Sequence, residues 1–337
     1  MTRRLRAAMI AVLLVPLPVL AVPRPPEPRL APGSVSPLPS FVRKVEPSVI
    51  GLRVKASPAA LSSQRLGAQR AGSAVIFDAR GYAVTVSYLA IDAERIEAQL
   101  RDGRAVGARL VGVDLETGLA VVRLDGPGPW PVAELGDSRD LIAGARTGTV
   151  GIDEDDDMVH AVTTVDGVRR FSASWEYMLD RAFIVSPSIA SWGGSALVDD
   201  HGRLVGIVSL RLGDKPHVNL AIPLEKFLPV KDEIIAGGRV SSRRPRPWLG
   251  LQTAGGADGV VVEGFNEAGP ARAAGFRLGD RIIGVDGARV ATQEEFYERL
   301  WRRQAGDTID VAVRRGASER VISVRSMDRY SLYRTSQ

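Results

Sequence analysis

Ser195 is the first residue to weigh for chemistry, because it follows two glycines in Ser191-Trp192-Gly193-Gly194-Ser195. A serine hydroxyl attacks a carbonyl only when a base takes its proton and a carboxylate fixes that base in the right tautomer. Histidine is the usual base, and the chain has three: His160, His201 and His217. His201 stands in Asp199-Asp200-His201-Gly202, which reads as a solvated hairpin tip. The few lysines fall in no position that suggests a serine–lysine pair. There is no cysteine, which excludes disulfides, thiol catalysis and cysteine-based zinc sites together. The run Asp153-Glu154-Asp155-Asp156-Asp157 offers the hard oxygens that calcium takes. It lacks the alternating spacing and central glycine of a calcium loop and reads as a solvated charge run. No metal and no cofactor is expected.

The elements that must position these groups are short apolar or alternating runs at close spacing. One set covers residues 49–54, 73–77, 82–86, 96–100, 104–113 and 119–124; a second covers 147–152, 160–165, 183–185, 196–198, 204–210 and 218–222. Turn signals such as Asp78-Ala79-Arg80-Gly81 separate them. This rhythm predicts an all-β sandwich or barrel. Helical spacing of Leu224, Phe227, Leu228 and Ile234 ends at Gly237-Gly238, a natural domain end. Residues 41–237 therefore form one domain and 238–247 a basic, proline-bearing linker. Residues 248–326 alternate short strands with a helix near 292–302, and 327–337 read as a polar, frayed tail.

The N-terminus sets the compartment. Arg3, Arg4 and Arg6 precede an apolar run, and Val19-Leu20-Ala21 offers small residues for cleavage. That is the layout of a secretory signal peptide over residues 1–21, followed by a Pro-rich linker over 22–40. An exported, periplasmic protein is expected; left uncleaved, the segment would act as an anchor. The net charge of +5 is spread along the chain, with no basic stretch interleaved with aromatics, so nucleic acid is not an expected partner.

Ala268 to Val290 contains Pro270-Ala271, Ala274-Gly275, Gly279-Asp280-Arg281-Ile282 and Gly287 in order. This closely resembles the bacterial PDZ pattern. PDZ domains bind a peptide C-terminus as an added strand and hold its carboxylate on backbone N–H groups. The resemblance implies a carboxylate loop at Trp248-Leu249-Gly250-Leu251. Phe296 and Leu300, four apart on one helix face, would either line the cleft or belong to the core.

The larger domain resembles the HtrA/Deg family of trypsin-like serine proteases. The resemblance rests on Glu46-Pro47-Ser48-Val49, Gly72-Ser73-Ala74-Val75, Gly81-Tyr82-Ala83-Val84-Thr85, Leu135-Gly136-Asp137-Ser138 and Gly202-Arg203-Leu204-Val205-Gly206. It implies a mainly β chain, a trypsin-like double β-barrel followed by a small α+β PDZ domain. It also places the catalytic triad on three replaced positions. Tyr88 stands for the histidine, Gly118 for the aspartate and Gly193 for the serine. Gly193 to Gly202 keeps the family spacing of nine residues, whereas Ser195 does not. A phenol with a pKa near 10 is a poor base at neutral pH. Backbone N–H groups at Ser191 and Gly193 would still form an oxyanion-type nest, beside Trp192 as a plug or a space filler.

The expectation is a catalytically inactive homologue that binds polypeptide C-termini or unfolded proteins, as an adaptor or chaperone-like module in envelope quality control. The alternative is an active HtrA-like endopeptidase with rearranged catalytic groups. The resemblance also allows a homotrimer, or a hetero-oligomer with an active relative.

Overall fold

Alternation is clearest in β1 (Val49–Ala56), where Arg53 and Lys55 are exposed while Leu52, Val54 and Ala56 are buried. This period of two turns one face of the strand into a barrel. In the computed structural model, which describes residues 38–256 and 259–336, five more strands complete that barrel: β2 (Gln69–Asp78), β3 (Tyr82–Val86), β4 (Ala93–Gln99), β5 (Ala105–Asp114) and β6 (Leu119–Leu124). They close in the order β1-β2-β3-β6-β5-β4 around Ile50, Leu52, Ile76, Ile96, Leu110 and Val122. A second barrel closes as β10-β11-β12-β9-β8-β7. Its strands are β7 (Arg146–Ile152), β8 (Met158–Ala173), β9 (Tyr177–Ser186), β10 (Ala196–Asp199), β11 (Leu204–Leu212) and β12 (Val218–Pro223). Closure leaves neither barrel with an unpaired edge.

The helices are short. α1 (Ser40–Val45) buries Phe41, Val42 and Val45 against the second barrel, α2 (Ser63–Leu66) follows β1, and α3 (Ser87–Ala90) follows β3. The helix expected over 223–236 is divided: Leu224–Lys226 form one 3-10 turn and α4 (Lys231–Gly237) begins after it. α4 ends with Gly238 in the left-handed conformation, a common helix stop. Among the described residues no helix is long and apolar enough to cross a membrane. The expected signal peptide and most of the Pro-rich linker lie outside the described residues.

The C-terminal unit is a sheet of β14 (Leu251–Gly256), β15 (Gly259–Phe265), β16 (Arg281–Val285), β18 (Thr308–Arg315) and β19 (Ser318–Arg325), with β17 (Ala288–Arg289) paired to β16. Two helices, α5 (Ala271–Ala274) and α6 (Gln293–Leu300), pack on it. α6 starts where expected. The Thr292 hydroxyl accepts the Glu295 N–H, and the Glu295 carboxylate accepts the N–H of Ala291. A separate ribbon of β13 (Pro247–Trp248) and β20 (Met327–Asp328) ties the tail beside the predicted carboxylate loop.

Three expectations change. The tail is not frayed: the Tyr330 hydroxyl accepts the Leu115 N–H, Arg334 exchanges two hydrogen bonds with Asp92, and Tyr330 and Tyr333 pack on the first barrel. Two aromatics in a polar stretch show no period, so their burial is legible only in three dimensions. The stretch expected as a linker is docked as well. Arg243 pairs with Asp114 at 2.6 Å and Glu116 at 3.0 Å, and Arg246 pairs with Glu116 at 3.0 Å. The β8–β9 hairpin runs well past its expected strands at 160–165 and 183–185, with pairing continued to Ala173 and Tyr177. Its outer half mixes exposed Arg169 and Arg170 with part-buried Val168 and Phe171 and buried Ala173, with no strict alternation. That hides it from a pattern search.

Candidate functional site

The residues expected at the triad positions, Tyr88, Gly118 and Gly193, come together at the junction of the barrels. Tyr88 lies on α3, whose approach is fixed from below by the buried Arg70 guanidinium, donating at 2.9 Å to the carbonyls of both Tyr88 and Ile91. The Tyr88 hydroxyl donates to the Ser209 carbonyl at 2.7 Å, and its ring lies 6.1 Å from that of Trp192. Burial, and to a lesser degree Tyr177, drives the Tyr88 phenol well above its ordinary value. It stays protonated and has no proton-accepting role at neutral pH. A Cβ placed on Gly193 would lie 3.1 Å from that hydroxyl oxygen. Gly118 joins from the other side: its carbonyl accepts the Ser87 N–H at 2.7 Å.

Gly118 has φ +81°, and a Cβ there would lie 3.1 Å from the Tyr177 hydroxyl oxygen. A side chain at this position would be strained in its backbone and crowded by Tyr177. Tyr177 donates to the Thr117 carbonyl at 2.6 Å. Its hydroxyl thus occupies the ground where a carboxylate on residue 118 would project.

Ser195 is fully buried, and its hydroxyl donates to the Ser191 carbonyl. His160 and His201 are exposed, and the His217 ring bonds the Gly213 carbonyl at 2.6 Å. None of the three is hydrogen-bonded to Ser195. Of the nest expected at Ser191 and Gly193, the Gly193 carbonyl is engaged by the Ser73 N–H at 2.8 Å and the Ser191 carbonyl by Ser195. The Ser191 hydroxyl is buried with no partner. The acidic run folds on itself, with Asp153 accepting the N–H groups of Asp155 and Asp157, and Asp156 pairing with Arg53. Among the described residues no group of three or more metal-ligating side chains is assembled.

The carboxylate loop expected at Trp248-Leu249-Gly250-Leu251 already holds a carboxylate. Glu176, at the tip of the β8–β9 hairpin, accepts the Leu249 N–H at 2.9 Å and the Leu251 N–H at 2.7 Å on its two oxygens. The Thr253 N–H bonds the Ser174 carbonyl at 2.9 Å. The turn at residues 174–176 thus meets β14 through one main-chain hydrogen bond and reaches the loop with the Glu176 side chain. From α6, the Tyr297 hydroxyl donates to the Ala173 carbonyl at 2.7 Å and accepts the Glu176 N–H at 3.2 Å. Gln293 holds the Thr253 carbonyl at 2.6 Å. Glu176 is buried, and burial pushes its carboxyl up to about 7, against the pull of the loop N–H groups and Arg329.

Phe296 and Leu300 do not line a cleft. Both are fully buried in the core of the C-terminal unit with Leu249, while the helix turns Tyr297 toward the hairpin and Gln293 toward Thr253 of β14. Those two and Glu176 escaped the sequence reading. The only hint was an acid flanked by aromatics in Trp175-Glu176-Tyr177.

One cavity of about 410 Å³ connects the two predicted sites. Tyr88, Gly118 and Trp192 line it from the barrels, and Trp248, Leu251 and Phe265 from the C-terminal unit. Trp175 and Tyr177 of the hairpin, stacked 6.3 Å apart, stand between them.

Fold and site together define a trypsin-type double barrel followed by a small α+β module. The model of the trypsin-like peptidase domain matches residues 72–207, and that of the PDZ domain residues 247–325. The chain carries these two domains in that order and is similar along most of its length to HtrA-type proteases. Serine endoprotease DegS of Salmonella typhimurium is 29% identical over 304 residues, covering 81% of both chains. The serine protease Do-like HtrA of Lactobacillus helveticus is 25% identical over 74% of this chain, and that of Bacillus subtilis 28% over 74%. This chain spans only 66% and 61% of those two relatives' lengths. Among solved structures, the HtrA-type protease AlgW with decapeptide has 25% identity and a TM-score of 0.56, covering 86% of this chain and 98% of that one.

Proposed function

We propose that this protein is a non-hydrolysing HtrA-type protein that binds polypeptides, with exposed C-termini as its ligands, in the bacterial envelope. One observation carries the reading. At the junction where a triad would stand, Gly193 has no side chain, Gly118 has no carboxylate, and Tyr88 is a protonated phenol tied to a main-chain carbonyl. Neither nucleophile, base nor orienting acid is in place. Ser195, the remaining serine, is buried and engaged, which argues against the rearranged endopeptidase. The PDZ match and the peptide-bound AlgW relative support polypeptide as the ligand. Relatives named periplasmic, such as the DegP-like endoprotease of Halomonas elongata, support the envelope placement together with the N-terminal segment. An adaptor or chaperone-like role follows from binding without cleavage.

The purified chain is incubated with fluorescently labelled unfolded casein and with a fluorophosphonate serine probe. The expected outcome is no peptide release and no labelling, with casein retained in a pull-down. Casein hydrolysis that is abolished by Ser195→Ala would overturn the reading in favour of the rearranged enzyme.

A further inference from the structure

The PDZ carboxylate loop presents its N–H groups to a side chain of the same polypeptide. The contact has the polar end of a bound ligand: the turn at residues 174–176 meets the β14 edge through the Ser174 carbonyl and places a side-chain carboxylate on the loop. The Glu176 side chain stands in for the α-carboxylate that a free chain end would supply. Three further features make this a built contact. Glu176 is held at φ +55°, in the left-handed region that glutamate seldom adopts. Its own N–H is taken by Tyr297, and the preceding Ala173 carbonyl by the same hydroxyl. Ser172 and Arg170, farther back on β8, pair with Glu294 and Glu298 of α6. The hairpin is thus zipped along the helix as well as the strand edge.

We propose that Glu176 is the resident ligand of the PDZ groove, and that the C-terminal carboxylate of an incoming polypeptide binds by displacing it. This rests on the polypeptide-binding reading above and adds the device that regulates it. Displacement has a defined consequence in the barrels. Tyr177, the next residue, is bonded to the Thr117 carbonyl and crowds Gly118, while Trp175 forms the wall of the cavity shared by both domains. Release of Glu176 frees both aromatics at the wall of that cavity. Occupation of the groove and the lining of the cavity at the barrel junction are therefore coupled through three consecutive residues.

The test uses the full chain and its Glu176→Ala and Glu176→Gln variants. Gln keeps the shape and one acceptor but turns an amide donor on a loop N–H, so it weakens the contact without a cavity. Circular dichroism and melting curves establish that all three are folded. The probes are a fluorescein-labelled decapeptide with an apolar, free C-terminus and the same peptide as its C-terminal amide. The free-carboxylate peptide is expected to bind both variants at least tenfold more tightly than it binds the wild type, with no gain for the amide. Hydrogen exchange at Leu249 and Leu251, measured without peptide, is expected to be at least tenfold faster in both variants. Equal exchange in all three proteins overturns the self-liganded groove. Equal affinity for the free-carboxylate peptide also overturns it and leaves the polypeptide-binding reading standing. Faster exchange with no peptide bound by any form supports the resident ligand and sinks the polypeptide-binding reading.

Discussion

At the residue scale, side chains at the junction of the barrels make interactions that stabilise the fold. The Tyr88 hydroxyl satisfies the Ser209 carbonyl at 2.7 Å. Tyr88→Phe is expected to lower unfolding stability by about 1 kcal/mol, the net value of one buried hydrogen bond, measured by urea titration. The same variant leaves casein uncleaved. Gly193→Ser places a side chain against that hydroxyl but has no base to activate it, so it too is expected to remain inert. Gly118→Asp is expected to destabilise by at least 1 kcal/mol, because an aspartate must adopt φ +81° beside the Tyr177 hydroxyl. Restoring all three triad residues, with Tyr177 kept, should therefore not restore proteolysis. A fluorogenic casein assay on the triple variant checks this, and robust turnover would refute it.

The β8–β9 hairpin is the element on which function turns. Its tip buries one carboxyl, Glu176, among Glu116, Arg246, Asp328, Arg329, Tyr177, Tyr297 and Tyr330. Burial raises its carboxyl from an ordinary 4.5 to about 7 when docked. The docked hairpin therefore takes up a proton between those two values. Docking is fully favoured below pH 4.5 and weakens as pH rises toward 7, by about 3 kcal/mol in all. Peptide binding is expected to strengthen from pH 5 to pH 8 in the wild type, and to be flat in Glu176→Gln. Fluorescence polarisation across that range measures both. Tyr297→Phe removes the hydroxyl shared by Ala173, Glu176 and Thr253. It is expected to speed exchange of the hairpin-tip amides while leaving the melting of the barrels unchanged.

Over the whole molecule, a charged clamp joins the barrels to the PDZ unit. Asp114 is 1% exposed and takes Arg243 at 2.6 Å, while Arg246 reaches Glu116 and lies 4.1 Å over the Trp301 ring. Arg243→Ala leaves Asp114 buried with the Thr117 hydroxyl and the Glu116 N–H as its remaining partners. The loss is expected to be about 2 kcal/mol, below the ~3–5 kcal/mol of a fully buried pair because the arginine side chain is partly solvated. Scanning calorimetry measures it. Truncation after Ser326 removes Tyr330 and Tyr333 from the first barrel and is expected to lower the melting temperature. A frayed tail would leave it unchanged.

The residues themselves determined much of this. Period-two runs such as 49–56 sort into an inner and an outer face by hydrophobicity alone, so the barrels were legible. The proposed replacement of the triad rests on residue type at counted positions and not on coordinates. Tertiary structure decided the rest. Phe296 and Leu300 share one helix face with no sign of which side is core, since i,i+4 spacing is the same for a cleft wall and a core. The tail and the linker carry their docking in single aromatics and arginines, which have no period. Glu176 shows the limit most clearly. An acid in a polar hairpin looks solvated, and only the meeting of β8–β9 with the edge of β14, 73 residues and more along the chain, turns it into a buried ligand. Local sequence specifies which strands form, whereas the partner of a polar group is settled by distant chain brought near.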